Sequence, residues 1–327
     1  MPPQVALEQQ TSGTSVLLQA VSAVSDSIVW VSGHGGTWAR TLDGGRTWQT
    51  GRVAGEDSLQ FRDVHAVSAD SAWLLSAGTG AQSRIYRTTD GGASWLREFV
   101  NPEPRGFFDC MSFWDGRRGV VYGDQVGGRL TVLVTSDGGD TWSFVPPGAL
   151  PAALGTEGGF AASGTCLVTR PGGHAWIATG NGTSSRVLHS ADYGATWSVA
   201  EAPVPAGVAA GLATITFRDD QHGAALGGPI GSPDARSDNV VVTRDGGRSW
   251  RLAGRTPFSG AVYGAAYVPG AGGTLVAVSP KGAVLSRDDG MTWSNIDSLS
   301  YWGIGFSPGG SGWLAGPRGR IARVTIH

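Results

Sequence analysis

TLDGGRTW, residues Thr41 to Trp48, decides the fold because it recurs. Further copies read TTDGGASW (Thr88 to Trp95), TSDGGDTW (Thr135 to Trp142), SADYGATW (Ser190 to Trp197), TRDGGRSW (Thr243 to Trp250) and SRDDGMTW (Ser286 to Trp293). In all six, Asp stands third, Gly fifth, Ser or Thr seventh and Trp eighth. The aspartates Asp43, Asp90, Asp137, Asp192, Asp245 and Asp288 are spaced by 47, 47, 55, 53 and 43 residues, a period that fits one four-stranded propeller blade per repeat. Each copy reads as a hairpin in which a strand ends at the Thr or Ser. The Asp carboxylate accepts backbone N–H groups across the turn, and the glycine supplies a positive φ. The Trp opens the next strand and packs between neighbouring sheets, where burying roughly 150–250 Å² makes it a main stabiliser.

Upstream of each octapeptide lie further apolar runs separated by turn signals: 15–22, 27–32 and 37–41 in the first repeat, 63–68, 72–76 and 84–88 in the second. After the sixth octapeptide, residues 302–306, 312–315 and 320–326 form three more runs without a fourth, while QVALE (residues 4–8) has no partner of its own. Pairing the two ends completes a seventh blade and removes the open edge. The expectation is one all-β domain, a seven-bladed propeller, with six blades the alternative. The blades fall at about 15–54, 59–100, 106–146, 158–202, 208–254, 260–299, and 300–327 plus 4–8.

Composition narrows the function. The net charge is −2 with 15% charged residues, so a basic nucleic-acid groove is not expected. No apolar run reaches transmembrane length, and MPPQVALEQQ lacks the regions of a signal peptide, which reads as a cytoplasmic chain or a mature exported one. The six histidines form no HxH or HExxH pair, Cys110 and Cys166 lie in no metal-binding spacing, and no GxGxxG follows a strand into a helix; no metal or cofactor is expected. Both cysteines fall on predicted innermost strands of adjacent blades and read as buried free thiols rather than a bridge.

The octapeptide resembles the Asp box, or BNR repeat, of sialidases, sortilin-type receptors and some xyloglucanases. The wording of whole blades, VWVSGHGGTWARTLDGGRTW (residues 29–48) and WLAGPRGRIARV (residues 313–324), is most similar to the photosystem II stability/assembly factor family and its bacterial relatives. The resemblance implies structural aspartates in hairpins between third and fourth strands, away from the usual pocket. It also implies a periplasmic or secreted, chaperone-like scaffold that binds a partner protein. The Phe/Tyr-Arg-Ile-Pro motif of sialidases is missing.

A site is therefore expected on the opposite face, around the channel. Arg62, Arg84, Arg129, Arg186, Arg318 and Arg320 form a candidate patch for an acidic or C-terminal peptide segment, with Tyr263 and Trp302 beside it. The favoured reading is a monomeric, non-enzymatic binding or assembly protein with a protein or peptide partner. The alternative is a glycoside hydrolase or lyase acting on a glycan, with Asp63, Asp109 and Glu157 as rim carboxylates, His34 as a proton shuttle and Trp38 as a sugar platform. Against it, each carboxylate reads as salt-bridged or solvated beside Arg62, Arg105 or Arg186. A channel filled by side chains favours the scaffold; an open cleft with carboxylates roughly 5–9.5 Å apart favours the enzyme. The long connections at 146–159 and 227–238 are further places to look.

Overall fold

Val, Ile, Leu and Ala runs bounded by Gly, Asp and Ser build short strands and almost no helix. The computed structural model describes residues 5–326; Gln4 and His327, the ends of the expected closing blade, lie outside the described residues. Seven four-stranded antiparallel sheets form a propeller. Blade 1 comprises Leu18–Ala23, Val29–Gly33, Thr37–Thr41 and Gln49–Arg52. Blades 2 to 6 repeat this order within residues 61–100, 108–144, 167–202, 210–252 and 264–297. Blade 7 holds Gly303–Phe306, Gly312–Ala315, Arg320–Ile326 and, outermost, Val5–Thr11, which pairs antiparallel with Arg320–Ile326.

The outermost strand is the most exposed in every blade. The innermost strand Phe108–Phe113 is buried along its whole length, whereas the outermost Ser143–Phe144 and Arg251–Leu252 are exposed. Second strands such as Val29–Gly33, Ala72–Ser76 and Leu275–Ser279 are buried at every position and do not alternate, because neighbouring blades cover both their faces.

The six octapeptides form the same hairpin on one face, here the lower. In each, the first hydroxyl donates to the Asp and accepts the N–H of the fifth-position Gly, while the Asp accepts the N–H and hydroxyl of the seventh residue. All these bonds span 2.5–3.0 Å. The fifth glycine sits at φ between 81° and 100°, which a side chain would strain.

A second set of tryptophans, one not singled out by the repeat, is buried more deeply. Trp30, Trp73, Trp176 and Trp313 lie on the second strands of blades 1, 2, 4 and 7 at 0–1% exposure. Each faces a cation or imidazole on the third strand: Arg40, Arg87, His189 and Arg323. The guanidinium groups of Arg40, Arg87 and Arg323 sit 5.2–5.6 Å from the ring centres, in cation–π range. The indole N–H of Trp73 donates to Gly138 and that of Trp176 to Gly246, so one blade grips the octapeptide of the next at 2.8–2.9 Å.

Two expectations need correction. Cys110 and Cys166 form a disulfide joining blades 3 and 4 across 56 residues. Both are fully buried; Cys166 stands just before the strand Leu167–Arg170, its carbonyl accepting Ala178 N–H of the same blade, and this inner edge of blade 4 packs beside the inner strand of blade 3 that carries Cys110. Second, the inner edge of blade 4 is not one continuous strand: Gly158 pairs with Gly180 by two backbone bonds of 2.8 and 3.0 Å, residues 159–165 leave the blade, and the strand resumes at Leu167–Arg170. No helix is long and apolar enough to cross a membrane among the described residues.

Candidate functional site: a filled channel and an upper face

The extra residues before blade 4, GGFAASGT (158–165), contain three glycines and two alanines, small enough to enter the narrow centre of the ring. Gly158, Gly159 and residues 161–164 are buried there. The innermost strands of the other blades hold them. In blade 1, fully buried Gln19 donates from Nε2 to the carbonyls of Ala161 and Ala162 at 3.0 and 3.2 Å. On the far side Ser163 Oγ donates to the Tyr263 carbonyl at 2.6 Å, Thr165 Oγ1 meets Thr214 Oγ1 at 2.7 Å, and Ile215 N–H donates to the Thr165 carbonyl. The segment therefore fills the channel as a plug. Its glycines are dictated by carboxylates: a Cβ on Gly159 would lie 2.7 Å from the Asp109 carboxyl carbon, and one on Gly164 would lie 2.2 Å from Asp63 Oδ1.

The expected catalytic carboxylates thus belong to the plug's seat. Asp63 is 4% exposed; its two oxygens accept the N–H groups of Val64 and Met111 at 2.7 and 2.6 Å. It is neither salt-bridged nor solvated, unlike the sequence expectation, because backbone donors replace a cation. Burial pushes its carboxyl well up, against the pull of those two bonds. Asp109, 2% exposed, accepts Gly159 N–H at 3.3 Å and is pushed up by burial and then by the Asp124 charge. Asp124 is raised by burial to about 6, and its Oδ1 is buried without a hydrogen-bond partner among the described residues. Glu157, fully buried, takes Arg186 Nε at 2.9 Å, a second Arg186 nitrogen, Thr179 Oγ1 at 2.8 Å and Leu154 N–H at 2.9 Å. His34 is half-buried with Nε2 2.7 Å from Gln19 Oε1, and burial followed by the Arg62 charge lowers its pKa. Trp38 is buried between Trp30 and Trp95 and presents no platform.

The six arginines do not form one free patch. Arg186 is buried on Glu157; Arg84 spans both Glu56 oxygens at 2.8–2.9 Å; Arg62 binds Gln60 Oε1; Arg320 donates to the Ser300 carbonyl at 2.8 Å. Arg129 and Arg318 carry no side-chain hydrogen bond or ion pair found among the described residues. Arg318 lines an upper-face cavity of about 730 Å³ with Arg52, Arg320 and residues 9–15. Tyr263 and Trp302 meet edge to face, ring centres 4.9 Å apart. No group of three or more His, Cys, Asp or Glu among the described residues is placed to hold a metal. Sequence reasoning placed Asp124 on a loop of the channel face but missed the plug and Gln19. The available signals were the step in spacing from 47 to 55 between the third and fourth octapeptides and the long connection at 146–159.

Fold and site together define a seven-bladed β-propeller whose channel is filled by its own chain. Comparison with known proteins adds a direction. No family model matches the chain. The photosystem II assembly lipoprotein Ycf48 of Synechococcus sp. (strain CC9902) is 29% identical over 122 residues, 37% of this chain and only about a third (34%) of that protein's length. Among solved structures, Ycf48 from Cyanidioschyzon merolae superposes with a TM-score of 0.68 at 17% identity, covering 97% of this chain and 98% of that one. Ycf48 bound to D1 peptide gives 0.67 at 18%, covering 98% and 96%, and a streptogramin B lyase gives 0.67 at 14%, covering 99% and 98%. At these identities the superpositions establish the fold and nothing finer.

Proposed function

We propose that the protein is a non-enzymatic, monomeric binding propeller that offers its upper face to a peptide or protein partner. The observation that carries this reading is the plug. A glycosidase needs a solvated cleft between two carboxylates, whereas Asp63, Asp109 and Glu157 are sealed beneath or bonded around residues 157–165. Ligands are left with the rim, where Arg129 and Arg318 are free to pair with acidic groups. The likeness to Ycf48, one structure of which is described as bound to D1 peptide, supports a peptide as the ligand class. The disulfide supports an oxidising compartment, hence the periplasm or secretion.

The test is a peptide array spanning acidic and C-terminal sequences, probed with wild type and Arg318→Glu. Binding is expected to weaken at least tenfold on charge reversal at low salt, with the difference shrinking at high salt, which screens the pair. Turnover of a glycan panel by wild type, abolished in a folded Asp63→Asn/Asp109→Asn protein, would overturn the reading.

A further inference from the structure

Where the ring closes, the segment after Val5–Thr11 and the turn before Arg320–Ile326 wall the upper-face cavity of about 730 Å³. Arg52, Arg318 and Arg320 line it, and no carboxylate does. Asp57 meets Arg52 at 3.3 Å, in a pair so exposed on both sides that it holds neither side chain firmly. Asp297 accepts the Tyr301 hydroxyl at 2.6 Å and the N–H groups of Ser298 and Leu299, and lies outside the lining. Arg320 is anchored by one nitrogen on the Ser300 carbonyl at 2.8 Å, and exposed Arg318 has no side-chain partner among the described residues. The two walls are stitched together. Ser12, 3% exposed, donates from Oγ to the Gly319 carbonyl at 2.7 Å, and Gly319 N–H donates to the Val16 carbonyl at 2.7 Å. Arg318 itself sits at φ +61°, in the left-handed region, where the matching turns of blades 1 and 3 place Gly35 and Gly127 at +66° and +61°. Glycine bears that conformation freely and a side chain does not, so the turn carries an arginine its own backbone disfavours.

The other donors in the lining are small. The hydroxyls of Thr11 and Ser15 and the N–H groups of Gly13 and Ser15 carry no hydrogen bond among the described residues. Three guanidinium groups with no opposing carboxylate repel cations and concentrate an anion. A planar guanidinium pairs with two oxygens of a phosphoryl group at once, and hydroxyl and N–H donors serve the oxygens that remain. Apart from Pro317 no apolar side chain lines the space, so any carrier of that group is polar. We infer that this cavity binds a phosphoryl dianion, free or as the monoester of a hydroxyl-rich carrier such as a sugar. Arg52 of blade 1 and Arg318 and Arg320 of blade 7 pair with the phosphoryl oxygens, and the polar residues 9–15 bond the carrier's hydroxyls. Inorganic phosphate and a sugar phosphate share this chemistry. The inference goes beyond the peptide-binding reading and does not rest on it, although Arg318 belongs to both.

Isothermal titration calorimetry at low salt separates the sources. The probes are inorganic phosphate, glucose 6-phosphate, glucose and glucose 6-sulfate, at a pH well above the second phosphate pKa of about 6. At least one phosphate is expected to bind. Glucose is expected to be silent, and the singly charged sulfate ester at least fivefold weaker than the phosphate ester. Arg52→Gln and Arg318→Gly are each expected to weaken binding at least fivefold. Arg318→Gly gives blade 7 the turn residue of blades 1 and 3 and relieves its backbone, so its loss of binding is not loss of fold. Arg251→Gln, on the exposed outer strand of blade 5, is expected to leave binding unchanged. Tighter binding of glucose 6-phosphate than of inorganic phosphate assigns a sugar phosphate; equal or weaker binding assigns phosphate itself. No binding of either phosphate, equal binding of glucose or its sulfate, or indifference to both cavity substitutions overturns the inference. Peptide binding that depends on Arg318, alongside silent phosphate titrations, refutes this site and leaves the proposed function standing. Phosphate binding alongside a silent peptide array does the reverse.

Discussion

The lower face and the channel are built by opposite rules. Below, six octapeptides place the same four hydrogen bonds in six copies, each local to eight residues. In the channel, one unrepeated segment is held by Gln19, Asp109, Thr214 and Tyr263, residues up to 143 positions away from their partners in it. The lower face distributes its stabilisation so that no hairpin is essential, in the manner of repeat proteins. The channel concentrates buried polar groups at one place, where each depends on its partner.

The largest expected effect tests that concentration. Glu157→Gln leaves Arg186 buried without its counter-charge and is expected to cost about 3–5 kcal/mol in denaturant unfolding. A loss below about 1 kcal/mol would mean that the connection is not held as described. Next, Asp192→Ala removes one octapeptide's bonds to Ser190 and Thr196 and is expected to cost about 1–2 kcal/mol. Combined with the same change at the distant Asp288, the losses should add; strong non-additivity would break the picture of independent hairpins.

The smallest effect is a difference in pH response. Asp124 is raised to about 6 by burial, so its protonated form favours the folded, plugged state. That contribution is complete below about pH 4 and disappears as pH rises through 6. Asp43, Asp90 and Asp137 are lowered to about 2 by hydrogen bonds from Thr47, Ser94 and Thr141. Their contribution is present above about pH 4 and is lost as pH falls through 2. Hydrogen exchange, corrected for intrinsic rates, is expected to show residues 158–165 loosening between pH 5 and 7 while the octapeptides hold. Asp124→Asn should reduce that dependence, Asp109 and Asp63 being left to titrate.

What was legible follows the same division. The octapeptide spacing and the leftover runs at both ends led to seven blades, because local hydrogen bonds and turn chemistry write themselves into adjacent residues. The deeper tryptophans escaped notice. Trp30 and Trp73 occupy equivalent second-strand positions, but their partners Arg40 and Arg87 lie on another strand, so no short motif marks them. The cysteines were read as free thiols for a related reason. Whether two inner strands approach within bridging distance depends on how the chain re-enters blade 4, not on either residue's neighbours.

Sequence alone determined the repeat, the all-β ring and the hairpin role of six aspartates, since each depends on contacts within a few residues. Only the tertiary structure decided which carboxylates are sealed, which arginines are spent internally and which of them line one cavity. Those outcomes are set in the channel and at the seams between blades, by residues far apart in the chain, and contact across such distances leaves no period in the sequence.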